Sequence, residues 1–292
     1  MNTTKPGISM PVAALGQYTN AVETLLMALD THQIGPRLWL KDHTIWQSDP
    51  TEIVNRLGWL DSPTAMRPFL DSIYELADEV WSDGYDKALV LGMGGSSLAP
   101  EVFAKTYGSS TAHLELGVLD STDADAVRAY AEKFPPEKTL YIVSSKSGGT
   151  VEMASFFKYL YNLTVARVGA ENAGAHFVAI TDPGSGLADM AAKYHFRATF
   201  LNDPNIGGRY SALSYFGLVP AALDGVDLHK LLDRAVAMTD QCGPAALAAQ
   251  NPGLWLGAVI GALASRGRDK LTLVLSPAIA SFGDWVEQLI AE

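Results

Sequence analysis

From about residue 87 onward, apolar positions fall into two alternating patterns. Short, continuous apolar runs predict strands at Lys87–Gly92, Leu114–Leu119, Thr139–Val143 and His176–Ile180, with a weaker one at Ala198–Leu201. Helical spacing fills the intervals, over Leu98–Tyr107, Asp123–Lys133, Val151–Val168 and Gly186–Tyr194. Strands that are apolar throughout need cover on both faces. The alternation therefore predicts an α/β fold with a parallel sheet between helical layers.

The flanks read differently. Val12–Leu29 has an amphipathic stripe through Ala13, Leu15, Tyr18, Ala21, Leu25 and Leu29. Arg37–Pro50 is aromatic and charged without a period. Asp49-Pro50-Thr51-Glu52 is a helix-start signal, and Pro63–Trp81 predicts a helix ending near Gly84. Beyond Gly225 the pattern restarts with a helix over Val226–Met238, an apolar helix around Trp255, a buried strand at Leu271–Leu275 and a helix opening at Phe282–Glu292. Residues 241–265 carry no charge, but their apolar part, Gly253–Ala264, is too short for a bilayer and predicts a buried helix. The final element has no Gly or Pro stop signal, so the chain is expected to end inside a unit of a longer polypeptide. The expected division is a helical extension over 1–62, a sheet domain over 63–225 and the beginning of a second α/β domain over 226–292.

Composition narrows the function. The chain has 292 residues, 48% hydrophobic and 18% charged, which is ordinary for a globular protein. Lys and Arg number 21 against 32 Asp and Glu, a net charge of −11. That sign argues against a nucleic-acid surface, and an anionic ligand would have to be captured by local geometry. The single cysteine, Cys242, permits no internal disulfide and no cysteine zinc cluster, and is compatible with a cytosolic setting. No signal-peptide pattern is read at the start. The six histidines show no paired helical spacing, so no metal site is readable.

Three loops that follow strands carry candidate chemistry. Gly92-Met93-Gly94-Gly95-Ser96-Ser97 opens a helix, where glycines admit a ligand to the backbone and free N–H groups face an anion. It is an imperfect dinucleotide fingerprint, with Ser97 in place of the third glycine and Asp120 as a possible ribose acid. Ser144-Ser145-Lys146-Ser147-Gly148-Gly149-Thr150 offers four hydroxyls, two glycines and a lysine ahead of the next helix, a phosphate cradle without the Walker spacing. A phosphorylated metabolite fits it better than a nucleotide. In Asn205-Ile206-Gly207-Gly208-Arg209-Tyr210-Ser211 the paired glycines suit a guanidinium held close to a ligand oxygen. Loops at the carboxyl ends of parallel strands converge on one crevice. Asp182-Pro183-Gly184-Ser185-Gly186 lies at the same edge and reads as an ordinary turn. Trp255 and Trp285 read as core.

In that order, the Gly92–Ser97 loop, the Ser144–Thr150 loop and Gly207-Gly208-Arg209-Tyr210-Ser211 resemble the glucose-6-phosphate isomerases. The last segment is the most specific. Leu275-Ser276-Pro277 to Glu292 resembles the start of that family's second sugar-isomerase domain, and the likeness runs over roughly 83–292. Arg37–Pro63 resembles, more loosely, the joint before the isomerase half of transaldolase–isomerase fusion proteins; no transaldolase barrel is present in this sequence. The resemblance implies a three-layer α/β/α sandwich with a five-stranded parallel sheet. The reaction implied is the interconversion of glucose 6-phosphate and fructose 6-phosphate through an enediolate, in glycolysis and gluconeogenesis, with no cofactor and no metal. It also implies a cytoplasmic homodimer, with no nucleic-acid or membrane partner.

Residue by residue, the resemblance implies that Ser145, Ser147 and Thr150 hold the 6-phosphate, with Lys146 contributing through its backbone. Gly95 and Ser96 contact the substrate, as does Gln288. Arg209 stabilises the enediolate and Glu292 shuttles the proton between C1 and C2. The departures are the Ser147-Gly148-Gly149 stretch, where the family is Thr-rich, and the Ser-x-Gly-Lys segment, ring-opening histidine and lysine that follow the glutamate in the family. From these, the chain alone is expected to bind 6-phosphosugars weakly and to turn over little. The alternatives are a non-catalytic sugar-phosphate sensor, which would need neither Arg209 nor Glu292, and a dinucleotide oxidoreductase, weakened by Ser97 and by the second phosphate loop.

Overall fold

The computed structural model describes residues 13–108 and 113–291. Two compact units form, and neither is continuous in sequence. The smaller comprises Met1–Val54 and Asp233–Leu273, and the larger comprises Asn55–Leu232 and Val274–Glu292. This grouping cuts across the expected divisions after residues 62 and 225.

The larger unit contains five parallel strands: β1 (Lys87–Leu91), β2 (Glu115–Leu119), β3 (Thr139–Ser144), β4 (Phe177–Thr181) and β5 (Ala198–Leu201). Their spatial order is β2-β1-β3-β4-β5. All five match expected strands to within a residue or two. Side chains alternate between the faces, as the period of two requires. Ala88, Val90, Leu140, Ile142, Val178 and Ile180 face one core with Ile73, Leu76, Val80 and the Tyr215–Leu223 helix. Leu89, Leu91, Tyr141, Val143, Phe177 and Ala179 face the other, with Met153, Phe156 and Leu160 of the Val151–Val168 helix. Both faces are covered, giving the expected three-layer α/β/α sandwich.

The strand order decides where a ligand can sit. From β1 the chain crosses to β2 on one side, then to β3 on the other, so the order reverses between β1 and β3. At such a switch point the loops leaving the carboxyl ends diverge and open a crevice. The Gly92–Ser97 and Ser144–Thr150 loops leave the sheet there.

Several expectations are corrected. Pro63–Trp81 is not one helix: Ser62–Ala65, a 3-10 turn at Arg67–Phe69 and Leu70–Ser82 replace it, because Pro68 removes an N–H and disfavours helix in the residue before it. Asp49 caps Thr51 through a 2.9 Å hydrogen bond, but only a turn follows, since Glu52 adopts a left-handed φ of 61°. Leu271–Leu275 forms no strand; Leu271, Leu273 and Val274 are exposed, and no described segment pairs with their backbone. An apolar run becomes a parallel strand only where neighbours accept its hydrogen bonds.

In the smaller unit, Val22 and Leu26 of the Thr19–Thr31 helix pack on Ala258 and Ala262 of the Pro252–Ala264 helix. The latter is a helix but not a buried one, because Leu256 and Ile260 on its other side are exposed. Asp30 Oδ1 accepts the Ala248 N–H at 2.8 Å, and Trp39 Nε1 donates to the Cys242 carbonyl at 2.8 Å. Among the described residues no helix is long and apolar enough to cross a membrane.

Candidate active site

The Ser144–Thr150 loop is ordered by its own hydroxyls. Ser145 Oγ and Thr150 Oγ1 are 3.0 Å apart, and Ser145 Oγ accepts the Gly148 N–H at 3.2 Å. Ser147 Oγ accepts the Gly149 N–H at 3.2 Å. Gly148 has a φ of 69°, and a Cβ there would stand 2.5 Å from the Leu187 nitrogen. Both facts restrict the position to glycine. Thr150 precedes the 18-residue Val151–Val168 helix without capping it through its side chain. The first amides of that helix have no intrahelical partner and carry the positive end of its dipole toward the loop.

Lys146 does not extend freely over this cradle. Its ammonium forms an ion pair with Asp182 and donates to the Pro204 carbonyl at 2.8 Å. Burial pushes the Asp182 carboxyl above its usual range, while the hydrogen bond and charge of Lys146 pull it back down.

The Gly92–Ser97 loop makes a 3-10 turn at Gly94–Ser96, and Ser97 then leads into the Leu98–Tyr107 helix. Ser97, which stands where a dinucleotide loop has its third glycine, is fully buried and donates its hydroxyl to the Gly94 carbonyl at 3.0 Å. Asp120, the candidate ribose acid, is not among the residues lining the cavity described below.

Arg209 comes from a 3-10 helix at Gly208–Leu213 that lies against the Gly92–Ser97 loop. Ser211 Oγ lies 2.7 Å from the Gly208 carbonyl and 3.3 Å from the Gly95 carbonyl, so its hydroxyl ties the two loops. The approach is too close for any side chain at residue 95: a Cβ on Gly95 would lie 2.1 Å from the Gly208 oxygen. Tyr210 stacks on Trp59 with ring centroids 5.6 Å apart. The Gly58 N–H donates to the Asn205 carbonyl at 2.9 Å, and an antiparallel bridge joins Leu57 to Ile206. That bridge lays the Arg56 side chain beside Gly207.

These loops enclose one cavity of about 490 Å³, within the range of small-ligand sites. Gly95, Ser96, Ser145, Lys146, Ser147, Thr150 and Arg209 all line it, and Gln288 reaches it from the Phe282–Ala291 helix. The Gln288 Nε2 atom lies 2.5 Å from where a Cβ on Gly94 would stand. Its Oε1 is buried without a hydrogen-bond partner. Glu292 lies outside the described residues. Of the Asp182–Gly186 turn only Asp182 reaches the cavity; Ser185 instead caps the Gly186–Lys193 helix, accepting the Ala188 N–H at 3.2 Å.

The sequence reading missed Arg56. It belongs to no motif and follows a helix-start signal that no helix extends, and its place depends on the bridge of the next residue, Leu57, to Ile206, about 150 residues away in sequence. Met93 and Ser144 also line the cavity. Among the described residues the lining cations are Arg56, Lys146 and Arg209 and the lining carboxylate is Asp182, a local balance opposite in sign to the whole chain. Among the described residues no cluster of His, Cys, Asp and Glu could hold a metal ion.

A doubly wound α/β sheet with a helix-start loop and an arginine meeting in the crevice at its switch point defines the class of α/β proteins that bind small ligands at the carboxyl ends of their strands. Residues 66–279 match the phosphoglucose isomerase family model, and the chain belongs to that family. It is 29% identical over 285 residues to a glucose-6-phosphate isomerase of Rubrobacter xylanophilus, covering 93% of this chain and 62% of that one. It is 36% identical over 217 residues to one of Thermosynechococcus vestitus, covering 71% and 40% respectively. The chain thus spans roughly 40 to 60% of the length of these curated relatives. The crystal structure of a glucose-6-phosphate isomerase from Chlamydia trachomatis has the same fold, with a TM-score of 0.75 at 20% identity, over 91% of this chain and 55% of that one.

Proposed function

We propose that the cavity binds a 6-phosphorylated hexose and serves the interconversion of glucose 6-phosphate and fructose 6-phosphate through an enediolate. One observation carries this reading: the Ser145, Ser147 and Thr150 hydroxyls share a single hollow with Arg209. Phosphate bound at the helix start anchors one end of the substrate and holds the reacting carbons in register. Removing a proton beside a carbonyl places negative charge on oxygen, and a guanidinium facing that oxygen stabilises it.

In this reading Lys146 adds backbone donors to the phosphate site, Gly95 and Ser96 contact the substrate, and Gln288 offers its amide. Glu292, four residues beyond Gln288, is the proposed base for transfer between C1 and C2. The same proposal takes 63–225 as the first sugar-isomerase domain, with 1–62 as a helical extension and 226–292 opening a second such domain. The homodimer and the cytoplasmic setting belong to it too.

Isothermal titration with fructose 6-phosphate, fructose and NAD tests the ligand class. Binding of the phosphate ester in the ~1 μM to 1 mM range usual for enzymes is expected, with none of the other two. Deuterium entering C1 or C2 of the bound sugar in D₂O reports the enediolate. Binding of NAD without fructose 6-phosphate would overturn the proposal.

A further inference from the structure

Lys146 links the loops that follow three strands. Its ammonium pairs with Asp182, after β4, and donates to the Pro204 carbonyl, after β5, at 2.8 Å. Its own carbonyl accepts the Asp182 N–H at 3.1 Å and the Thr181 hydroxyl at 3.3 Å. The neighbouring Ser145 N–H donates to the Ile180 carbonyl at 3.1 Å. Both charged side chains line the cavity, yet each directs its charge at the other.

A carboxylate in an anion-binding cavity needs a reason, because its charge repels the ligand. The Asp182 side chain is 15% exposed and that of Lys146 is 24% exposed, so the pair is only weakly screened by solvent. Asp182 Oδ1 is buried without a hydrogen-bond partner, leaving the contact at Oδ2 as the hydrogen bond that compensates for burying this group. Breaking that contact would take the side-chain tie from the loop that carries Ser145, Ser147 and Thr150 and leave its Lys146 end to the main-chain contacts and the Pro204 carbonyl.

We propose that Asp182 is a positioning residue for the phosphate cradle: it holds Lys146 as a strut between the loops, and the Lys146 ammonium acts on the loop rather than on the ligand. The inference rests on the phosphate-ester reading of the cavity. It makes a signed forecast. Simple Coulomb repulsion says that removing the Asp182 charge tightens phosphate binding, whereas the strut says that removal weakens it.

The test uses the full chain in four forms: unaltered, Asp182→Ala, Lys146→Met and the double variant. Hydrogen exchange is measured without ligand over residues 144–150, and affinity for fructose 6-phosphate by calorimetry. Asp182→Ala is expected to speed exchange in that segment and to weaken binding about tenfold or more, the scale of losing a charge-assisted contact. Once Asp182 is gone, Lys146→Met should cost less than about twofold, because the two side chains act as one unit. Asp182→Asn, close in shape, should move both readouts in the same direction if the alanine variant does not fold.

Unchanged exchange, with equal or tighter binding in Asp182→Ala, would overturn the strut. So would a larger loss of affinity from Lys146→Met in the Asp182→Ala background without faster exchange over 144–150, since the ammonium would then be acting on the phosphate rather than, through the Pro204 carbonyl, on the loop. An unaltered chain that binds no fructose 6-phosphate would refute the ligand reading instead, and the exchange data would still decide whether Asp182 holds the loop.

Discussion

Replacing Gly95 by alanine tests the joint between the first loop and the arginine loop. The added Cβ would stand 2.1 Å from the Gly208 oxygen, 2.4 Å from its carbonyl carbon and 2.9 Å from the Arg209 nitrogen. Real Cβ atoms keep at least about 3.0 Å, so the backbones must separate by nearly 1 Å. All three opposing atoms are main chain, and no rotamer change relieves the clash. Overpacking of this kind costs about 1–3 kcal/mol. For a chain of this size that corresponds to a fall in melting temperature of roughly 2–5 °C. The separation also displaces Arg209 from a ligand anchored in the proposed phosphate site. A misplacement of ~1 Å at a reacting centre costs about a hundredfold in rate.

Thermal melting, fructose 6-phosphate titration and an isomerase assay together read these effects. The expected result for Gly95→Ala is a clear loss of stability, a larger loss of turnover and a smaller loss of binding. Gly208→Ala is the control for stability, because its Cβ would meet nothing within 4 Å. A Gly95→Ala protein that melts with the unaltered chain and keeps its turnover would refute the reasoning.

In a version spanning the full length of its relatives, Arg209→Ala should lower turnover by about 10²–10³-fold while changing affinity much less, because the proposed reading sets its charge on the developing oxyanion; equal losses in both would deny it that role. Arg56→Gln removes a lining cation and should weaken fructose 6-phosphate binding about tenfold, with a shallower salt dependence than the unaltered chain. His176, tilted against Tyr85 at 5.1 Å, has its pKa lowered from 6.5 mainly by burial. Its unfolded form therefore holds more protons, and stability should rise with pH across the window below 6.5, falling again on acidification. His176→Phe should flatten that part of a denaturation-versus-pH curve.

Local periodicity made the layered α/β fold and its five strands legible from the amino-acid order alone. Each strand is a short apolar run, and each covering helix shows spacing over three and four residues. Such patterns depend only on neighbours along the chain. The chemistry of Ser144–Thr150 was legible for the same reason, because hydroxyls and glycines lie together ahead of a helix start. The switch point then followed from the strand order, which brought the Gly92–Ser97 loop, the Ser144–Thr150 loop and Arg209 to one hollow.

Tertiary structure decided whatever depended on distant partners. Leu271–Leu275 has the composition of a strand but nothing to pair with among the described residues. The Pro252–Ala264 helix is apolar on all sides, yet only Ala258 and Ala262 are buried. Arg56 has no motif and reaches the cavity through a bridge to Ile206. Lys146 is expected from the sequence to contribute through its backbone, and only the fold shows that its side chain is turned onto Asp182. Glycines that look equivalent in the two loops are not: Gly95 has backbone against it, whereas Gly208 faces open space. Short-range order selects conformation residue by residue, but hydrogen-bond partners, clashes and counter-charges come from segments far apart in the chain and exist only once it has folded.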